Sequence, residues 1–123
     1  MYFLFFPLRL RTCFPFLNTA LGISYCMDEE FYVEMIETYL NGDKRHLITE
    51  AFEAENWKDY ETYVHGLKST SLNIGAEELS GHAKALEFAA KEGNFDYIRE
   101  HNKEVIDEYG TMLEQIKKAL VRG

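Results

Sequence analysis

From Phe95 to Leu120 the residues Phe95, Ile98, Asn102, Val105, Tyr109, Met112, Ile116 and Leu120 recur every three or four positions. That spacing puts them on one stripe of an α-helix, and a strand, which repeats every two residues, cannot use it. A stripe of this length left alone would face water, so other amphipathic helices must cover it. The seam therefore commits the chain to a helical bundle. Gly110 lies inside it and should weaken the helix locally.

The preceding sequence obeys the same period. A first helix is expected over 28–41, opening on Asp28, Glu29 and Glu30, whose charge suits the positive end of the helix dipole. Asn41-Gly42-Asp43 reads as a turn, with Gly42 as the stop and Asp43 as the next N-cap. A second helix covers 44–55 with Leu47, Ile48, Ala51 and Phe52 inward. Asn56, with Asp59 three residues on, caps a third that runs from Trp57 to Ile74 and ends at Gly75. A fourth covers 77–91, stopped by Gly93, and Asn94 caps the fifth. No alternation is long enough for a strand, and no proline follows Pro15. Short connections between long helices imply antiparallel neighbours. The expected class is all-α, an antiparallel up-and-down four-helix bundle with an additional N-terminal helix.

Length and charge narrow the function. The chain has 123 residues, enough for one core, and a formal net charge of −8. Residues 1–27 contain only Arg9 and Arg11 as charges, so the rest carries −10. An acidic body is unsuited to nucleic acid, whose phosphates need clustered Lys and Arg. Cys13 and Cys26 form no CxxC pair and no metal-ligand spacing, as expected of incidental thiols in a reduced cytoplasmic protein. Residues 1–19 read as an atypical apolar segment, a linker, flap or non-native start, and 20–123 as the helical domain. The apolar run MYFLFFPL ends at Arg9, well short of the ~20 residues a spanning helix needs. Its arginines follow the apolar stretch, where a secretory signal would place them before it. A monomer away from membranes is the expectation.

Chemistry concentrates in the third helix. Tyr60, Val64, Leu67, Ser71 and Ile74 form its inward stripe, and His65 falls roughly 150° from the centre of that stripe, facing solvent. Glu61 lies one turn before it, Ser69 one turn after and Leu72 two turns after on the same side, while Lys68 is a neighbour at three residues. Neutral imidazole is a competent nucleophile near pH 7, and an adjacent ammonium can offset a phosphoryl charge placed on it. An outward histidine is most often merely solvated, so the wheel alone leaves both readings open.

The stretch HGLKSTSLNIGA closely resembles the signature of histidine-containing phosphotransfer (HPt) domains, His-x-x-Lys-[Gly]-x-[Ser/Ala]-x-x-[Ile/Leu]-Gly-Ala. His65, Lys68, Ser71, Ile74, Gly75 and Ala76 match in register; Ser69 stands where the family usually has glycine. LSGHAKALEFAAKEGNFDYI and GISYCMDEEFYVEMI resemble the following helix and the N-terminal helix entry, so the likeness spans about residues 20–120. The resemblance implies a phosphoryl carrier in multistep two-component signalling. His65 would take the group through Nε2 from a receiver-domain aspartyl phosphate and pass it to another receiver, with Lys68 offsetting charge. Glu61, Ser69 and Leu72 would form the docking face, and Gly75 would serve the structure. The chain would need no cofactor of its own, since Mg²⁺ sits on the partner receiver, and would not be an enzyme by itself. Response-regulator receivers, and a hybrid sensor histidine kinase, are the implied partners. Two other readings stand beside it: a docking module that is never phosphorylated, and the phosphoacceptor segment of a separate histidine kinase.

The remaining candidates are weaker. His46, His82 and His101 show no i,i+4 pair and no cysteine partners, so no metal site is expected. His82 reads as partly buried, and His46 and His101 as solvated. Ser71 is expected to bond within its own helix, and Trp57 to pack.

Overall fold

The structure, a computed structural model, describes residues 15–26 and 29–122. Among them it has six helices and no strand: α1 (Thr19–Cys26), α2 (Glu29–Asn41), α3 (Arg45–Glu53), α4 (Trp57–Asn73), α5 (Glu77–Glu92) and α6 (Phe95–Arg122). The five expected helices are present within about two residues of their ends. The eight-residue α1 adds a sixth, over a stretch whose apolar content carries almost no helical sidedness. Among the described residues no helix is long and apolar enough to cross a membrane.

The caps explain the boundaries. Asn56 Oδ1 accepts from the Asp59 amide at 3.2 Å and its Nδ2 donates to Asp59 at 2.8 Å, opening α4. Asn94 accepts from Tyr97 N at the start of α6. Asp43 Oδ1 accepts from Arg45 N at 3.0 Å, although Lys44 occupies the cap position of α3. Three helices end in paired wrap-around bonds that need a left-handed residue. At α4 these are Gly75 N to Leu72 O and Ala76 N to Ser71 O, with Gly75 at φ +87°. At α5 Gly93 has φ +73°, and at α3 the residue in this conformation is Glu55, at +56°.

The core is rich in tyrosine hydroxyls that each find a partner, as burial requires. Tyr32 donates to Ile74 O at 2.7 Å, Tyr60 to Asn102 Oδ1 at 2.7 Å, and Tyr39 and Ser71 share a bond of 2.8 Å. Ser71 thus bonds across to α2, where bonding within its own helix was expected; the hydroxyl of Tyr39 reaches it first. These bonds tie α4 to α2 and α6. Ile98, Asn102, Val105, Tyr109 and Ile116 of the α6 seam are buried, with Leu113 and Ala119 beside them. Gly110 leaves α6 unbroken; a Cβ there would lie 2.8 Å from the Arg45 guanidinium, so the glycine makes room for a side chain from α3.

Two junctions position the site. The corner Ile74–Ala76 turns α4 back on α5, and the two run antiparallel: Ser80 Oγ meets Lys68 O at 2.8 Å while Glu87 meets His65. The chain before α1 locks that corner from outside. Leu17 is buried, Asn18 N donates to Gly75 O at 2.9 Å, and Asn18 Nδ2 to Glu77.

Candidate functional site

His65 projects from the middle of α4 with its side chain 55 % exposed, on the side facing α5. Its Nδ1 lies 2.5 Å from Glu87 Oε2 of α5. The other oxygen of that carboxylate accepts from Lys68 Nζ at 2.7 Å, and Lys91 Nζ approaches Oε2 at 3.4 Å. Glu87 is the buried centre of this group, its side chain only 6 % exposed. A buried carboxylate needs charged donors to offset lost hydration, and here it has them from two helices. Burial alone would raise its pKa. Hydrogen bonds from Lys68 and His65, and their charges, outweigh that and hold it at about 2, below the ordinary 4.5.

The consequence is positional. A carboxylate ionised at neutral pH can only accept a hydrogen bond, so the imidazole presents N–H at Nδ1. Nε2, the nitrogen with no hydrogen-bond partner among the described residues, then carries the lone pair, on the exposed side of the ring. This division of labour between the two nitrogens is that of a histidine oriented by a carboxylate for reaction.

The Hpt domain profile matches residues 30–119, most of the chain. The chain belongs to the Hpt domain family. No curated protein and no solved structure matches it. In this Hpt domain the residues singled out from the sequence fall as follows. His65 is exposed, and Glu61 and Ser69 are partly exposed. Leu72 is half-buried, although the wheel predicted a solvent-facing leucine. Lys68 does not stand free beside His65; its ammonium meets the ring through Glu87. Gly75 takes a conformation that L-residues avoid, and a Cβ there would collide with the Asn18 carbonyl.

Sequence reasoning named no role for Glu87. Its signal was a carboxylate placed directly after the buried Leu86, on the edge of the apolar stripe of α5, where an acid survives only with partners. Nor did it find Lys91, one turn further on. Two other histidines differ from expectation. His82 is 58 % exposed, because its Nδ1 reaches out to Glu108 of α6 at 2.6 Å. His101 lies against the Tyr97 ring at 4.3 Å and near Glu104, so it is not simply solvated. Trp57 stacks on Phe95 at 4.7 Å and packs. Among the described residues no group of three or more His, Cys, Asp or Glu side chains could hold a metal ion.

Proposed function

We propose that the chain is a phosphoryl carrier that accepts a phosphoryl group on His65 Nε2 from a receiver-domain aspartyl phosphate and hands it to a second receiver. Family membership gives the class of chemistry: histidine phosphotransfer in two-component signalling. The observation that carries the assignment to one atom is the clasp of His65 Nδ1 by Glu87, itself held by Lys68.

The step follows from that clasp. The Nε2 lone pair forms the bond to phosphorus as the bond from phosphorus to the aspartyl oxygen breaks, and the electrons leave on the carboxylate. The ring keeps its proton at Nδ1 and becomes a phosphoimidazolium whose positive charge faces Glu87. Glu87 thus stabilises charge that appears only as transfer proceeds. Positioning and charge offset are most of what phosphoryl transfer asks of a protein. In this reading the partner receiver supplies the Mg²⁺, and the carrier turns over nothing by itself. Glu61, Ser69 and Leu72 form the surface along α4 on which receivers seat, with Ser69 as a small residue beneath the ring. Four of the helices form the up-and-down bundle, with Leu17 and Asn18 closing its α4–α5 corner from outside, and the chain acts as a monomer in the cytoplasm.

Incubation with a phosphorylated receiver and Mg²⁺, read by intact mass, tests this. The expected product is one added phosphoryl group, labile to acid and stable to base, and absent in a folded His65→Gln variant. Equal labelling of that variant would contradict the reading.

A further inference from the structure

The flank of His65 opposite Glu87 holds a second cation. Lys44 precedes α3, and its backbone amide donates to the buried Tyr109 hydroxyl at 3.1 Å, which fixes where its side chain begins. The side chain runs to α4. The Lys44 ammonium lies 3.6 Å from the position a Cβ would take at Gly66, the residue after His65. On the helix Gly66 is turned roughly 100° from His65 and Lys68 roughly 60° the other way, so the two lysines approach α4 on opposite sides of position 65.

The charges differ on the two sides. Lys68 and Lys91 both face Glu87. Among the described residues Lys44 has no such partner. Its neighbour Asp43 is taken by Arg45, which bonds both carboxylate oxygens at 2.6–3.0 Å; that hydrogen bond foremost holds Asp43 below the usual carboxylate range. Among the described residues the exposed Lys58, Lys84, Lys117 and Lys118 also lack ion pairs. Among the described residues Lys44 is the half-buried basic side chain without one. A partly dehydrated ammonium with no anion is a standing site for one.

The geometry points to Lys44 as the uncompensated cation that takes the charge of a phosphoryl group on His65 Nε2. A phosphoryl group brings about −1.5 to −2 charges at neutral pH, and Lys68 can turn to it only by loosening the buried Glu87. Lys44 has nothing to give up. This role rests on the carrier reading above and adds to it a residue from another helix.

The test uses the whole chain and potassium phosphoramidate, so that no receiver surface takes part. Nε2 attacks phosphorus, the phosphorus–nitrogen bond of the donor breaks, and ammonia leaves with its electron pair. The pH titration of the phosphohistidine is then followed by ³¹P NMR. A nearby cation favours the dianion and lowers its midpoint, so Lys44→Gln should raise the midpoint by a few tenths of a pH unit. It should also slow formation of the adduct about two- to fivefold. Lys44→Arg should restore both, and Lys118→Gln, an unpaired lysine on α6, should change neither. Circular dichroism checks that each variant stays helical. An unchanged midpoint and rate in Lys44→Gln, with wild type phosphorylated on His65, would overturn the role of Lys44 alone. A wild-type chain that takes no phosphoryl group on His65 would overturn the carrier reading with it.

Discussion

At the scale of single residues, the site is a statement about one carboxylate. Glu87 chooses which ring nitrogen of His65 is free, and it also fastens Lys68. Glu87→Gln keeps the shape but removes the charge, and an amide cannot accept from both donors as the carboxylate does. Phosphorylation of this variant should fall by roughly 10-fold or more while His65 stays exposed, measured as the initial rate of transfer from a phosphorylated receiver. The same residue gives a stability signature with a defined sign. Its folded pKa, about 2, lies below the ordinary 4.5, so its contribution is complete above pH 4.5 and is lost as pH falls towards 2. Urea unfolding of wild type should therefore lose on the order of 2–3 kcal/mol more between those pH values than Glu87→Gln does. Parallel pH profiles would show that the clasp is not formed in solution. His82 supplies an internal comparison. Its Nδ1 is held by Glu108 just as His65 is held by Glu87, yet among the described residues no ion pair brings it a cation. It should remain unlabelled when His65 is labelled.

At the scale of elements, the site depends on the α4–α5 corner, because His65 and Glu87 meet only if the two helices fold back in one register. Gly75 makes that corner in a left-handed conformation, with the Asn18 carbonyl packed where a Cβ would point. Gly75→Ala meets both the conformational cost and the clash, and should lose about 2–4 kcal/mol in urea unfolding, with transfer weakened as the corner shifts. Glu55 ends α3 in the same region of backbone space at φ +56°, with only an exposed pairing to Arg99. Glu55→Gly should leave stability unchanged or raise it by up to ~1 kcal/mol, since the strain relieved exceeds what an exposed pair is worth. A matching loss in both variants would mean that backbone conformation is not what distinguishes these corners.

At the scale of the whole molecule, much of the architecture was legible because helical periodicity is a local property. The α6 seam, the Asn56 and Asn94 caps and the glycines after α4 and α5 could be read without knowing any neighbour. What escaped depends on contacts between segments distant in sequence. Glu87 gains its meaning from a histidine 22 residues away in sequence. Ser71 finds Tyr39 on α2 rather than its own helix, and His82 swings out to α6. Leu72 is half-covered although the wheel of α4 alone leaves it outside. The helix α1 was missed because its apolar residues have no sidedness to reveal it. The histidine motif could be read from α4 alone, but the selection of one nitrogen requires α5.

¹H–¹⁵N NMR of the ring nitrogens reads that selection at the two atoms themselves. In the resting chain His65 should carry its proton on Nδ1. After phosphorylation, phosphorus should couple to Nε2 of His65, with Nδ1 still protonated. Phosphorus on Nδ1, or on any histidine other than His65, would contradict that selection.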